Sequence, residues 1–141
     1  MVYLDTSAIV ALIVNEAGSV AVAKWYAGTK AELVSAAWCV PEFASALGIK
    51  QRSGQLDAEQ AKQAWQRFEG LVANDLKLLP VAPADFHRAA VMTLDAGSAL
   101  RAGDALHLAC AEHANAKSVA TLDAEMARNA QRLKIKPVAF A

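Results

Sequence analysis

Four acidic residues stand where an apolar segment meets a helical pattern: Asp5, Glu42, Asp104 and Asp123. Asp5 and Asp123 each follow a short apolar run, whereas the other two fall in or beside the first turn of a predicted helix. If folding gathers four carboxylates, they raise one another's pKa values unless a cation compensates them. An all-oxygen ligand set favours Mg²⁺, with Mn²⁺ as a substitute, over zinc or copper. Such a site suits the hydrolysis of phosphodiester bonds.

Each of these acids also has a simpler interpretation. Asp is a favoured N-cap residue, so Asp5 could be only a helix cap. Glu42, Asp104 and Asp123 could each serve only the dipole of the following helix, an effect of roughly 0.3–1 kcal/mol. Their shared context favours a common site. In a parallel sheet, the carboxyl ends of the strands and the N-termini of the following helices lie at one edge, so long sequence separations need not keep the four acids apart.

The elements that position these acids begin with a buried strand. Val2 to Leu4 is a continuous apolar run of the kind found in an inner parallel strand, and it ends at Asp5. Thr6 and Ser7 can cap the helix that follows. Ala8 to Val14 is apolar on all sides, which indicates a helix inside the core. The first strand therefore delivers a carboxylate to the edge of the sheet.

The rest of the chain continues to alternate between strands and helices. Further strands are predicted at 33–37, 76–81, 118–122 and 137–140, although Pro80 interrupts the second of these. Helices are predicted at 20–27, from 41 to 53, from 57 to about 73, at 83–97, from 103 to about 114, and from 124 past 130. Pro41 fits the first position of its helix. The pattern predicts an α/β fold with a central parallel sheet of four to five strands, without a linker that would divide the chain.

Composition fits a globular chain rather than a membrane or secreted one. The 141 residues suit one domain, and 55% are hydrophobic and 20% charged. No apolar run reaches the roughly 20 residues that span a bilayer, and the N-terminus lacks a signal-peptide pattern, so we expect a cytoplasmic protein with no membrane partner. Cys39 and Cys110 lack the spacing of a zinc site and are predicted to be buried small residues.

The charge balance gives no global sign of a nucleic-acid partner. The chain has 14 basic and 14 acidic residues. If four acids lie in one site, the remaining surface has a positive excess of four, which is compatible with a polyanionic substrate. A basic group near the C-terminus could line an RNA path or be an ordinary solvated face; it consists of Arg128, Arg132, Lys134 and Lys136.

Together these motifs resemble the PIN-domain family, in particular the VapC toxins of bacterial toxin–antitoxin pairs. The resemblance is carried by Leu4-Asp5-Thr6-Ser7, by Pro41-Glu42 at a helix start, by the run LRAGDALHLA over 100–109, and by Thr121-Leu122-Asp123. The third motif is the most specific, whereas DTS or TLD alone would be weak. The motifs occur in order along the whole chain, and no acid position departs from the family pattern.

The resemblance implies a PIN-like three-layer α/β/α sandwich and a single nuclease domain over residues 1–141. It implies a Mg²⁺-dependent endoribonuclease that cuts RNA and forms a homodimer. A cognate antitoxin would silence it, and promoter DNA would be met only through that antitoxin. Carried over position by position, the catalytic residues and metal ligands would be Asp5, Glu42, Asp104 and Asp123.

The same resemblance suggests supporting residues around the acids. Either Thr6 or Ser7, together with Thr121, would orient the acids by hydrogen bonds, a role that metal sites usually need. Arg101 could pair with a substrate phosphate or be a solvated loop charge. His107, in the third motif, could contact RNA or move a proton, or it could be structural; a site built from hard acids gives no reason to make it a ligand.

Three other functions fit parts of the pattern. A non-catalytic module of the same fold could bind RNA or protein, but it would not need an intact set of acids. A receiver domain requires a second acid after the first strand and a Lys at a late strand end, and neither is evident. A haloacid-dehalogenase-type phosphatase requires Asp-x-Asp, and Ser7 stands at the position of the second Asp. The sequence therefore favours a metal-dependent nuclease.

Overall fold

The computed structural model describes residues 1–140, in which five strands form one parallel sheet. The strands are β1 (Val2–Leu4), β2 (Leu33–Ala36), β3 (Leu76–Leu79), β4 (Ser118–Ala120) and β5 (Lys136–Pro137). Their order across the sheet is β3-β2-β1-β4-β5, and all neighbouring pairs are parallel. From β1 the chain adds β2 and then β3 on one side of the sheet. It then crosses to the other side of β1 and adds β4 and β5. The carboxyl ends of β1 and β4 therefore meet at the switch point where open α/β sheets bind ligands.

Seven α-helices within residues 1–140 pack on this sheet. They are α1 (Thr6–Ile13), α2 (Ser19–Gly28), α3 (Cys39–Arg52), α4 (Ala58–Asn74), α5 (Pro83–Leu94), α6 (Ala102–His113) and α7 (Ala124–Arg132). A 3₁₀ turn at Ala96–Ser98, which the sequence pattern did not predict, precedes α6.

The core consists of two hydrophobic clusters on opposite faces of the sheet. Tyr3 packs with buried residues of α5, α6 and α7, whereas its neighbours Val2 and Leu4 pack with residues of α1, α3 and α4. Successive strand residues point to opposite faces, so the helices cover both sides. The predicted three-layer α/β/α fold is confirmed. The prediction that Cys39 and Cys110 are buried is also confirmed, since both are free thiols in the core.

The start of α1 differs from the prediction. The helix begins at Thr6 rather than Ala8, because Asp5 is the N-cap and its side chain accepts the N–H of Ala8. The expected cap at Thr6 or Ser7 is therefore wrong, and both hydroxyls lie in the first turn instead. Their side chains are thus available to contact the acids.

Other element boundaries shift for local reasons. α3 begins two residues before Pro41, whose missing N–H still falls in the first turn, where no intrahelical partner exists. β3 ends at Leu79 because Pro80 cannot donate to the ladder. β4 ends before Thr121, whose hydroxyl is engaged by side-chain contacts. No helix within residues 1–140 is long and apolar enough to cross a bilayer.

Candidate active site

Asp5 lies at the carboxyl end of β1, with both carboxylate oxygens engaged. Its Oδ1 accepts the N–H of Ala8 at 3.0 Å and the hydroxyl of Ser7 at 2.7 Å. Its Oδ2 accepts the hydroxyl of Thr121 at 2.5 Å. The residue is 3% exposed, and this burial raises the pKa of the carboxyl although the three hydrogen bonds oppose the rise. Asp5 is therefore held rigidly, and the burial of its carboxylate costs free energy of folding.

Glu42 lies in the first turn of α3 and is held through a single oxygen. Its Oε1 accepts the Thr6 hydroxyl at 2.6 Å and contacts Nε2 of His107. Burial alone would raise the pKa of Glu42, but the hydrogen bond and electrostatic attraction of His107, with smaller contributions from Thr6 and Trp38, outweigh it, and the pKa lies below its usual value. The local contacts therefore favour the ionised carboxylate.

Asp104 and Asp123 face each other across the start of two helices. Asp104 is in the first turn of α6, and Asp123 caps α7 by accepting the N–H of Met126 at 2.9 Å. Burial raises the pKa of Asp104, and the charges of Asp123 and Asp5 raise it further, while Arg101 opposes them. Arg101 approaches Asp104 at 3.7 Å and Asp123 at 3.9 Å, although its side chain is 84% exposed.

Hydroxyl groups join the acids at this edge. Thr121 donates to Asp5 and accepts the N–H of Asp123 at 3.0 Å, so it links the ends of β1 and β4. Thr6 follows Asp5 in the chain and reaches Glu42. The structure thus places all four predicted acids at the carboxyl edge of the sheet, although Glu42 is drawn to one side.

The donor set has the chemistry of a site for a hard divalent cation. It consists of carboxylate oxygens, and the pKa of Asp104 is raised first by burial and then by the charges of Asp123 and Asp5, which Arg101 offsets only in part. Within residues 1–140, however, no three His, Cys, Asp or Glu side chains surround a common point closely enough to hold an ion. Glu42 points to Thr6 and His107, and Arg101 lies beside two of the other acids. The residues fit a cation by chemistry and position, and binding would require side-chain adjustment.

The predicted supporting residues all contact neighbours in this region. Ser7 and Thr121 contact Asp5, whereas Thr6 contacts Glu42, a division that the sequence did not reveal. His107 is 1% exposed, which supports the structural alternative over direct contact with RNA.

Sequence reasoning missed two residues next to the acids. Tyr3 was considered only as part of an apolar strand, yet its hydroxyl lies 2.6 Å from Nδ1 of His107. A Tyr in an inner strand could have signalled this, because a buried hydroxyl needs a partner. Trp38, which the sequence does not single out, has a buried Nε1 that makes no hydrogen bond of ordinary geometry within residues 1–140, although the indole helps to lower the pKa of Glu42. A Cβ at Gly103 would lie 3.4 Å from that nitrogen and 2.9 Å from Oε2 of Glu42, so both groups flank Gly103.

The basic group near the C-terminus is partly neutralised. Arg128 pairs with Glu125 and also donates to the Ser98 carbonyl at 3.0 Å. Arg132 pairs with Asp95 at 3.3 Å. Lys134 and Lys136 are exposed. These contacts support the solvated-face alternative for the two arginines.

Comparison with known proteins shows the family. The PIN domain model matches residues 2–132, so the chain belongs to the PIN domain family. VapC20 of Mycobacterium tuberculosis, a sarcin-ricin loop cleaving toxin, is 13% identical with a TM-score of 0.74, covering 92% of this chain and 95% of that one. FitAcB from Neisseria gonorrhoeae is 17% identical with a TM-score of 0.74, covering 99% and 97%. These likenesses show the shared fold. Comparison with curated protein sequences gives no match.

Proposed function

We propose that this chain is a Mg²⁺-dependent endoribonuclease and the toxin of a VapBC-type toxin–antitoxin pair. Its family supports a nuclease, and the likeness of its fold to a toxin that cleaves the sarcin-ricin loop supports RNA as the substrate. The observation that carries the proposal is the gathering of acids at one edge of the sheet, where Arg101 approaches Asp104 at 3.7 Å and Asp123 at 3.9 Å. Burial raises the pKa of Asp104 most, and the charges of Asp123 and Asp5 raise it further, as expected for grouped carboxylates without a cation.

In this proposal the ion is held by Asp5, Glu42, Asp104 and Asp123, with Mn²⁺ able to replace Mg²⁺. When bound, Mg²⁺ supplies positive charge for the phosphate and lowers the pKa of water. Asp5 provides the site with a carboxylate of fixed orientation, because three hydrogen bonds prevent it from turning. A preorganised group needs no rearrangement at the moment of reaction.

Arg101 has a separate role in the proposed reaction. Its guanidinium lies loosely beside Asp104 and Asp123, at 3.7 and 3.9 Å, and is 84% exposed. It can therefore leave the acids at little cost when a cation takes its place. A guanidinium pairs well with a phosphate through two parallel hydrogen bonds, so Arg101 would bind the RNA backbone next to the reacting bond.

The proposed partners follow from the toxin assignment. We propose a homodimer in the cytoplasm, a cognate antitoxin that silences the nuclease, and contact with promoter DNA only through that antitoxin. We also propose that residues 1–141 act as one nuclease domain.

RNA cleavage by the purified protein tests this function. We expect cleavage with Mg²⁺ or Mn²⁺ and none with EDTA. Asp5→Asn and Glu42→Gln should each lower the rate by about 100-fold or more, since even outer hydrogen-bond partners of a metal site cost about 10–100-fold. Glu69→Gln is the matched control, because Glu69 is an exposed acid on α4.

Two outcomes would contradict the proposal. Cleavage that survives both EDTA and Asp5→Asn would show that the carboxylates do not hold a required cation. RNA binding without cleavage, at equal affinity in the wild type and in Glu42→Gln, would instead support the non-catalytic binding module.

A further inference from the structure

A polar chain runs from the centre of the sheet to the proposed active site. The Tyr3 hydroxyl lies 2.6 Å from Nδ1 of His107, and Nε2 of the same ring contacts Oε1 of Glu42. Thr6 Oγ1 donates to that oxygen at 2.6 Å. Tyr3 is 0% exposed and His107 1% exposed, although the residues around them form a hydrophobic cluster. The chain thus connects a buried strand residue to an acid at the edge of the sheet.

The hydrogen-bond partners define which atoms carry protons. An ionised carboxylate has no proton to give, so Nε2 of His107 must donate to Glu42. The Tyr3 hydroxyl accepts the N–H of Ala36 at 3.1 Å, which leaves its own proton free to be donated. Nδ1 of His107 is the acceptor placed to receive it. Of the two neutral tautomers of His107, the contacts match the one with hydrogen on Nε2 and a lone pair on Nδ1.

This arrangement gives the two oxygens of Glu42 different roles. Oε1 receives both His107 and Thr6, whereas Oε2 makes no hydrogen bond of ordinary geometry within residues 1–140 and lies on the side of the Trp38 indole, which helps to lower the pKa of Glu42. Oε2 lies over Gly103, the residue before Asp104, at 2.9 Å from the position a Cβ would take. The oxygen without a donor is therefore the one next to the acid on α6.

Burial also distinguishes these hydrogen-bonded side chains from ordinary packing. Taking an imidazole and a phenol hydroxyl out of water costs free energy unless their hydrogen bonds are made. An apolar side chain at position 107 would fill the same space without that cost. A role in packing alone would explain the size of the His107 side chain. It would not explain why Nε2 points at a carboxylate.

We propose that Tyr3 and His107 are positioning residues that fix the orientation of the Glu42 carboxylate. Tyr3 fixes the tautomer and ring orientation of His107, and His107 holds Oε1, so that Oε2 remains available to the cation. Neither residue touches RNA or the reacting atoms. The inference rests on the proposed function only in taking Glu42 as part of the active site.

Two substitutions of His107 separate positioning from packing. In His107→Gln the side-chain amide reaches the place of Nε2, so an N–H can still be donated to Glu42. In His107→Asn the amide reaches only the place of Nδ1, so Tyr3 keeps a partner while Glu42 loses one. The Gln variant should cut RNA within a few-fold of the wild-type kcat, and the Asn variant should lose about 10–100-fold in kcat with KM unchanged. Urea unfolding of both variants checks that the fold is retained.

Two further measurements do not depend on cleavage. Long-range ¹H–¹⁵N spectra of the metal-free protein should show His107 with hydrogen on Nε2, with exposed His87 as the reference in the same spectrum. Calorimetry with Mn²⁺ should give a weaker Kd for His107→Asn than for His107→Gln. If the wild type cuts no RNA, the proposed function fails, while the tautomer and the two Mn²⁺ affinities still decide the role of His107.

Specific results would overturn the inference. A neutral His107 ring with its proton on Nδ1 and none on Nε2 in the metal-free protein would contradict the assigned tautomer. Equal Mn²⁺ affinity in the Gln and Asn variants, with both folded, would show that His107 only fills space.

Discussion

At the scale of single residues, hydroxyl groups decide how the acids are presented. Ser7 and Thr121 hold Asp5, and Thr6 holds Glu42. The sequence could predict acids at this edge and hydroxyls beside them, because the residue types and their places after strands are visible in it. It could not predict which hydroxyl meets which acid, since that depends on the rotation of α1 and on where β4 ends.

The contact between Thr121 and Asp5 has a stability consequence that depends on pH. Thr121→Val removes a donor that opposes the rise in the pKa of Asp5, so we expect it to lower the free energy of unfolding at pH 7.5 by about 1–3 kcal/mol. The loss should shrink as the pH falls through the raised pKa of folded Asp5, because a protonated carboxyl no longer carries a buried charge. Urea unfolding at pH 7.5 and pH 4 measures the difference.

Thr29→Val is the control for that substitution. The Thr29 hydroxyl only accepts the N–H of Ala31, at 3.3 Å and in an exposed position. We expect a small loss of stability that is the same at both pH values. An equal loss in Thr121→Val at pH 7.5 and pH 4 would mean that the hydroxyl does not support the ionised form of Asp5.

Asp104 should destabilise the metal-free protein. Its pKa is raised in the folded state by burial and by Asp123 and Asp5, so its ionised form disfavours folding at pH values above that raised pKa. Asp104→Asn should therefore raise the Tm at pH 7.5 by a few degrees, on a scale of about 4 °C per kcal/mol. The gain should disappear as the pH falls toward the unfolded value, near 4, because the carboxyl becomes protonated in both states.

Magnesium should reverse this order of thermal stability, so that the wild type melts above Asp104→Asn. The wild type gains stability from an ion that binds only the folded state, whereas Asp104→Asn has lost a ligand. Thermal melting with and without Mg²⁺ at low salt measures both effects. A variant that melts below the wild type without Mg²⁺ at pH 7.5, or a wild type that does not respond to Mg²⁺, would contradict this account of Asp104.

At the scale of elements, the acids are presented by helix N-termini. Asp5 caps α1 and Asp123 caps α7, while Glu42 and Asp104 lie in first turns. Capping and a place in the site are thus compatible, and the simple and functional interpretations of Asp5 do not exclude each other. Alternation of apolar runs predicted the strands and helices well. Most ends shifted by one or two residues, as at Thr121, where a side-chain hydrogen bond follows β4. The predictions were wrong by three residues at two ends, since α5 ends at Leu94 rather than residue 97 and β5 ends at Pro137 rather than residue 140.

The start of α6 allows a direct test of how closely it approaches α3. In Gly103→Ala the new Cβ would lie 2.9 Å from Oε2 of Glu42, so the carboxylate must move. We expect RNA cleavage to fall by about tenfold or more, while stability changes by less than about 1 kcal/mol, because Ala is the better helix former. Cleavage rates and urea unfolding measure the two effects.

Gly70→Ala provides the matched control on another helix. Nothing lies within 4 Å of a Cβ at Gly70, so the same change should stabilise α4 by up to about 1 kcal/mol without affecting cleavage. If Gly103→Ala cuts RNA as fast as Gly70→Ala, the orientation of Glu42 is not important for the reaction.

At the scale of the whole molecule, the order of strands brings distant segments together. Because β1 lies between β2 and β4, the ends of β1 and β4 are neighbours, and Thr121 joins Asp5 to the backbone of Asp123 although most of the chain separates them. The sequence predicted a shared edge, because every parallel strand ends on the same side. It did not predict the strand order or the turn of Glu42 toward His107, since both depend on contacts between elements far apart in the chain.

The central claim is that Asp5, Glu42, Asp104 and Asp123 form one divalent-cation site. Calorimetric titration of the metal-free protein with Mn²⁺ tests it most directly, with Asp5→Asn and the control Glu69→Gln measured in parallel. The account predicts saturable binding in the wild type and in Glu69→Gln, and a Kd at least about 100-fold weaker in Asp5→Asn. Binding of equal strength in all three proteins, or no binding in any of them, would contradict it.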